Sequence, residues 1–327
     1  MSAPAVRVGV LGCASIALRR MLPAMQETRQ IEIVAVASRD ADRAVQFATR
    51  FGCAGVVGYD ALLARDDVEA VYIPLPSGLH AHWAARALAA GKHVLSEKPL
   101  TGEQAVAEQL VQQARSQNLR LTENFMFLHH HQHRAVRDLL AAGRIGRLQV
   151  FSASFGIPQL PAQDVRYNPS LGGGALLDVG VYPLRAASYF LGGSLQVLGA
   201  VLRRDPVTGV DVAGHVLLTT PEGISAELSF GFEHAYRSGY SLWGSSGRLS
   251  LDRAFTPPPD LKPVIRLEQP AQTEELTLEP DHQFRNIAQS FAASVRQGTD
   301  PDGCGEDLIA QARLIEQVQR QAQMVDA

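Results

Sequence analysis

Residues 6–17 read Val6-Arg7-Val8-Gly9-Val10-Leu11-Gly12-Cys13-Ala14-Ser15-Ile16-Ala17. The first six are apolar except Arg7 and have the length and composition of a buried strand. The rest has the order G-x-A-x-x-A. This is a reduced form of the G-x-G-x-x-G/A turn that joins the first strand of a dinucleotide-binding domain to its first helix. Gly12 permits the tight turn. Ala14 is the smallest residue that carries a Cβ, and it lets a pyrophosphate approach the backbone around Cys13, Ala14, Ser15 and Ile16 at the helix start. Ala17 keeps helix and strand close. Alone, the pattern also fits an ordinary tight βα turn.

The context favours the nucleotide. Apolar runs at 6–11, 31–37, 68–75, 93–96 and 119–122 alternate with helical stretches at 15–27, 40–51, 80–90 and 101–117. Such alternation predicts βαβ units and a parallel sheet covered by helices on both faces. The expected fold class is therefore an α/β Rossmann domain over residues 1–124. After Gly146 the runs become rich in β-branched and aromatic residues, at 148–155, 195–202, 210–219, 224–232, 240–243, 248–251 and 264–267. Turn signals such as Pro221-Glu222-Gly223 and Ser245-Ser246-Gly247 separate them. Residues 125–327 are expected to form an α+β domain for substrate binding and oligomerisation, with an open, mostly antiparallel sheet. Helices are expected at 283–296 and 306–323, the last packing back on the first domain.

Bulk properties narrow the function. A chain of 327 residues is long enough for two domains, and 46% hydrophobic against 19% charged residues supports packed cores. A net charge of -3 offers no basic face for nucleic acid. Three cysteines without C-x-x-C spacing suit a reducing compartment. The first residues lack the pattern of a signal peptide, and no apolar run approaches membrane-spanning length. The expectation is a cytoplasmic enzyme that binds neither membrane nor nucleic acid.

Chemistry-bearing residues cluster at predicted strand ends, where open α/β sheets bind ligands. After the second strand stands Ser38-Arg39, where an NAD site usually places an acid for the ribose 2′-OH. Arg39 offers a planar fork for a 2′-phosphate, and Ser38 a hydroxyl, so NADPH/NADP is favoured. Asp40, one residue on, could instead be that acid, or a helix cap. Leu75, Pro76 and His80 follow the next strand, and Glu97-Lys98-Pro99 the one after. Gly172-Gly173-Gly174 leads into an apolar segment carrying Asp178 and Tyr182, four apart and on one side if helical. That pair reads equally well as a site or as a cap beside a half-buried tyrosine.

The turn at residues 9–17, Glu97-Lys98-Pro99, and Gly172-Gly173-Gly174 followed by Asp178 together resemble the Gfo/Idh/MocA family of NAD(P)-dependent sugar oxidoreductases. The likeness covers nearly the whole chain. Many members carry histidine four residues after the aspartate, where this chain has Tyr182. That exchange, with Ser38-Arg39, the Asn124–His130 stretch and Phe255-Thr256-Pro257-Pro258, is similar to the nucleotide-linked sugar 3-ketoreductases of deoxysugar biosynthesis. The resemblance implies that Lys98 and Tyr182 are the catalytic pair and that Asp178 supports them. It implies a cis bond before Pro99, Arg166 reaching cofactor or substrate, and a dTDP-linked 3-keto-deoxysugar as substrate. It also implies a homodimer or homotetramer assembled through the C-terminal sheet. In this reading Tyr182 gives the proton and Lys98 polarises the carbonyl; a neighbouring ammonium helps a phenol with a reference pKa of ~10 to act as an acid. Lys98 as donor is the converse. Glu97 either anchors Lys98 or binds the cofactor ribose.

Two other readings share these residues: an NAD(P)-dependent dehydrogenase of a free sugar, inositol or diol, and a non-catalytic NADP-binding regulator. His129 and His133 have metal-ligand spacing, but no third ligand is evident in the sequence nearby and Gln132 stands where a metalloprotease needs glutamate. No metal is expected.

Overall fold

The computed structural model describes residues 4–298 and 304–326. The chain divides into two units. The first comprises the residues up to Met126 together with Phe284–Ile309, and the second Phe127–Gln283 together with the chain from Ala310 onward.

In the first unit six strands form a sheet: β1 (Val6–Leu11), β2 (Ile31–Ser38), β3 (Ala54–Val57), β4 (Ala70–Ile73), β5 (His93–Ser96) and β6 (Leu121–Glu123). Their order is β3-β2-β1-β4-β5-β6, and every pairing is parallel. This is the doubly wound Rossmann order, with its direction of winding reversing between β1 and β4. β1 and β4 are buried almost throughout, as strands covered on both faces must be. The helix after β1 opens as a π turn over Ala17–Met21 and continues as α1 (Leu22–Gln26). α2 (Ala41–Phe51), α3 (Tyr59–Leu63), α4 (His80–Ala89) and α5 (Gln104–Ser116) follow their strands. β3 and α3 are elements the apolar runs do not announce: β3 alternates half-buried with exposed residues.

The second unit begins with α6 (His131–Ala141) and β7 (Leu148–Gly156), then α7 (Val181–Leu191). The strands β8 (Gln196–Arg204), β9 (Asp211–Thr219), β10 (Ser225–Gly231), β11 (Arg237–Gly244) and β12 (Arg248–Asp252) follow. Next come β13 (Val264–Gln269) and β14 (Gln272–Thr277), then α8 (Gln283–Gln297), α9 (Cys304–Gln321) and β15 (Ala322–Asp326). The nine strands are ordered β14-β13-β12-β11-β7-β10-β9-β8-β15. Only β7/β10 and β8/β15 pair in parallel, so the sheet is mostly antiparallel, as expected. β15 ends the stretch that reads as one long helix; its edge pairing to β8 is a tertiary contact.

α7 packs on β7 and β10. Gly180 and Gly214 allow this approach, because a Cβ on either would lie within 3.0 Å of the Phe230 ring. The inner face of the sheet is apolar, with Phe151, Phe155, Phe230, Leu242 and Leu251 buried. Pairing register puts Ser152, Ser154, Glu227, Ser229, His215 and Ser241 on the outer face.

Candidate active site

The phosphate turn has the geometry its sequence requires. Gly12 has φ +116, and a Cβ there would lie 2.8 Å from Leu75 Cδ2. The turn is therefore a cradle that a side chain would fill, and Leu75 forms its wall. The Gly12 N–H donates to the Ala37 carbonyl at 2.9 Å, which locks the turn to β2. Cys13 is buried, and burial raises its pKa, while the charge of Arg43 pulls it down. The Arg43 side chain donates to the Cys13 carbonyl at 2.8 Å, a tie the sequence reading did not identify.

The alternatives at the end of β2 separate cleanly. The Asp40 carboxylate accepts from the Arg43 backbone N–H at 3.1 Å and caps α2, so it serves the helix. Ser38 Oγ accepts from the Asp40 N–H at 3.1 Å. Arg39 is exposed, and its charge reaches the Tyr59 phenol, whose pKa is raised first by burial and lowered next by Arg39. Two cations, Arg39 and Arg43, thus stand just beyond β2, one on the loop and one in the first turn of α2.

The charged pair after β5 divides its labour. The Lys98–Pro99 bond is cis. Glu97 is buried, and Oε1 accepts from the Tyr72 hydroxyl at 2.7 Å and the Asn124 amide at 2.6 Å. Burial raises its pKa, against the opposing pull of Tyr72 and Lys98. This carboxylate is committed to β4 and the end of β6, which anchors the turn; Lys98 beside it is half-buried. Asn124, fully buried, belongs to this anchor. His80 sits at hydrogen-bonding distance of two carbonyls, Nδ1 at 2.7 Å from Pro99 and Nε2 at 2.6 Å from Leu75. Burial pushes its imidazole down to about 4, so the ring is neutral and donates to one of the two. It braces the Leu75-Pro76 loop against the Lys98 turn.

In the second unit the triple glycine explains the placement of Asp178 and Tyr182. A Cβ on Gly173 would lie 2.5 Å from the Arg166 carbonyl, and one on Gly174 would collide with Asp211. The Asp211 carboxylate accepts from the Leu176 N–H at 2.6 Å, holding the start of the helical segment. Burial raises its pKa to about 6. Asp178 lies on a π turn, Leu176–Gly180, that runs into α7. Arg166 donates from Nε to Asp178 at 2.6 Å and from Nη1 to Asp164 at 3.1 Å. Tyr182, in the first turn of α7, is 6% exposed. Its ring contacts Phe127, Phe155 and Phe255, with centroids 5.8, 5.1 and 5.7 Å away. A phenol walled by three aromatic rings is held in one orientation and shielded from water.

The histidine cluster serves the fold. His133 is fully buried, with Nδ1 2.9 Å from the Tyr240 hydroxyl and Nε2 3.0 Å from the Ala254 carbonyl, so neither nitrogen is left for a metal. His130 caps α6 by accepting from the Gln132 N–H, and Asp281 accepts from the His131 N–H at the same helix end. His130, His131 and Asp281 come closest to a ligand set among the described residues. There His131 Nδ1 also lies 3.0 Å from Asp281 Oδ2, while the backbone hydrogen bonds cap α6.

A dinucleotide cradle ahead of a lysine turn, followed by a unit with a tyrosine in an aromatic pocket, defines a nicotinamide-dependent oxidoreductase. Residues 6–125 match the model of the oxidoreductase family with an NAD-binding Rossmann fold, and residues 133–250 match the GFO/IDH/MocA C-terminal domain. The chain belongs to the Gfo/Idh/MocA family. It is 53% identical over 319 residues to dTDP-3,4-didehydro-2,6-dideoxy-alpha-D-glucose 3-reductase of Saccharopolyspora spinosa, covering 96% of each chain. It is 52% identical over 313 residues to the protein of that name from Actinomadura kijaniata, covering 96% of this chain and 94% of that one. A crystal structure of a 3-ketoreductase from Actinomadura kijaniata in complex with NADP and TDP-benzene superposes with a TM-score of 0.97, at 50% identity and 99% coverage of both chains.

Proposed function

We propose that this chain uses NADPH to reduce the C3 ketone of a deoxysugar carried on thymidine diphosphate. The observation that carries the reading is Tyr182, a proton donor fixed by three aromatic walls in the second unit. The relatives named above support the substrate class. Bound at the Gly12 cradle, NADPH would supply the hydride that the carbonyl carbon accepts. Arg39 holds the 2′-phosphate, and Ser38 shapes the strand end beside it. Cys13, Ala14, Ser15 and Ile16 present backbone N–H groups to the pyrophosphate. As the C3–O bond loses its double-bond character, the oxygen takes the Tyr182 proton, and Lys98 stabilises the developing negative charge. Asp178 acts through Arg166, fixing the loop that precedes the tyrosine.

The subunits assemble through the outer face of the second sheet, where Trp243, Leu217 and Val201 stand 61%, 42% and 39% exposed among small serines. We place the reaction in the cytoplasm; among the described residues no helix is long and apolar enough to cross a membrane, and Cys13 and Cys53 are free thiols. The test is consumption of NADPH on addition of a thymidine-diphosphate-linked 3-keto-2,6-dideoxy sugar. Stoichiometric oxidation of cofactor supports the assignment. Inertness to that substrate, combined with oxidation of free polyols by NADP+, would replace it.

A further inference from the structure

Arg253 follows β12 with φ +53, in the left-handed region. Among the described non-glycine residues only Asn118 shares that conformation. Asparagine visits it readily; arginine does so at a cost that surrounding structure must offset. Here the next two residues are pinned. The Ala254 N–H donates to the Ser238 carbonyl, and the Phe255 N–H to Ser238 Oγ, each at 3.0 Å. The Ala254 carbonyl lies 3.0 Å from both Gln132 Nε2 and His133 Nε2. The anchored segment sets Arg253 on a shelf. Its guanidinium carbon is 4.5 Å from the centroid of the Tyr236 ring, and the Tyr236 hydroxyl is 2.8 Å from Thr256 Oγ1. Both Arg253 and Tyr236 are exposed.

The charge on this shelf has no anion of its own. Among the described residues no carboxylate lies within 4.0 Å of the Arg253 guanidinium, whereas Arg166 is shared between Asp164 and Asp178. The shelf is also on the right side of the sheet. Tyr236 lies two residues before Ser238 and four before Tyr240, so alternation puts it on the face that carries Tyr182, opposite the serine-rich outer face. One ring separates them: Phe155 contacts Tyr236 at 6.5 Å and Tyr182 at 5.1 Å.

We propose that Arg253, supported by Tyr236 and Thr256, binds the diphosphate of the substrate and so selects a nucleotide-linked sugar over a free one. The proposal rests on the functional reading above. In such a substrate the phosphates leave from C1, two ring carbons from C3. An anion site two rings from the proton donor, with Tyr236 and Phe155 between, is where they fall. The planar guanidinium suits paired phosphate oxygens, and the tyrosine face supports it from below.

The other source of a diphosphate is the dinucleotide, so the experiment separates the two. Thymidine diphosphate and NADPH are titrated calorimetrically into wild type, Arg253→Met, Arg253→Lys and Arg253→Gly, with steady-state kinetics on a nucleotide-linked 3-keto sugar. Arg253→Met weakens thymidine diphosphate on the order of ten- to a hundredfold. It raises KM for the sugar nucleotide in step, with kcat and NADPH affinity unchanged. Arg253→Lys recovers part of the loss. Arg253→Gly suits the left-handed backbone, so it melts no lower than wild type and still loses the nucleotide; a purely structural arginine would not behave so. Unchanged thymidine diphosphate affinity in a folded Arg253→Met protein overturns the proposal, as does a loss confined to NADPH. Failure of wild type itself to consume NADPH with the sugar nucleotide overturns the functional reading on which it stands.

Discussion

At the scale of the residue, the chemistry rests on a few groups whose neighbours commit them to single tasks. Glu97 is tied to Tyr72 and Asn124, Asp40 to the cap of α2, and Asp178 to Arg166. Around them we propose Lys98 and Tyr182 as the pair that carries out the chemistry. Tyr182→Phe keeps the aromatic packing and removes the proton. It should lower kcat on the order of 10²- to 10⁴-fold, with NADPH affinity unchanged in a direct titration. An unimpaired rate would move the proton to Lys98 or to water. Arg39→Ala should raise KM for NADPH on the order of ten- to a hundredfold and leave KM for NADH nearly unaltered. Equal changes for both cofactors would remove the 2′-phosphate role. Lys98, Tyr182 and Arg39 were marked by the sequence as candidates, because each stands beside a breaker or a strand end. Arg43, Asn124 and Asp211 were not. Their roles are hydrogen bonds to partners far along the chain, such as Leu176 for Asp211, 35 residues away.

At the scale of the element, the glycine turns and the returning helix are the points of tension. Gly12→Ala must place a Cβ against Leu75 at a φ that only glycine adopts comfortably, so it should cost roughly 1–3 kcal/mol in stability and weaken NADPH binding. Alternation of runs predicted β1, β2, β4, β5 and β6. It missed β3, which is only half-covered, and the polar edge strand β14. It also missed the grouping of residues 284–309 with the first unit. Arg296 is one of its ties, holding Glu69 with two nitrogens at 3.0 and 2.9 Å across 227 residues of sequence. Arg296, helped by Arg7, pushes the Glu69 carboxyl down to about 2. A carboxylate with a lowered folded pKa stabilises the fold above its unfolded value, here near 4.5, and loses that contribution as pH falls towards 2. Glu69→Gln should therefore cost roughly 1–3 kcal/mol at neutral pH, a figure reduced for the solvent that both partners still meet, and should flatten the stability curve in that acid window. Urea titrations at pH 7 and pH 3 read both effects.

At the scale of the whole molecule, three buried histidines make the fold sensitive to acid. Burial pushes His80 and His130 down to about 4 and His133 to about 3. The unfolded chain binds their protons from about 6.5 downward, so stability is lost as pH falls from there towards 3. Asp211, raised to about 6, works in the opposite sense and gains stability as pH drops below its folded value. His93 and Glu69, both lowered, act with these histidines, and Glu97, raised by burial, acts with Asp211. With the first set the larger, calorimetry should show a melting temperature that declines below pH 6; a flat profile would mean the histidines are not buried as described. The exposed Trp243 and Leu217 predict a wild-type species larger than one chain in sedimentation velocity, and a monomer for Trp243→Glu; a monomeric wild type would remove the assembly face. The two units and their sheets could be read from the alternation of runs, whereas the aromatic pocket around Tyr182 could not, since Phe127, Phe155 and Phe255 come from three separated segments. Following the hydride tests the proposed reduction most directly. NADPH carrying deuterium at the transferred position is mixed with a thymidine-diphosphate-linked 3-keto sugar, and the product is examined by NMR. The expected product carries one deuterium, on C3 of the sugar and on one face only. Label on any other carbon, or a product without label, would contradict the proposed reduction.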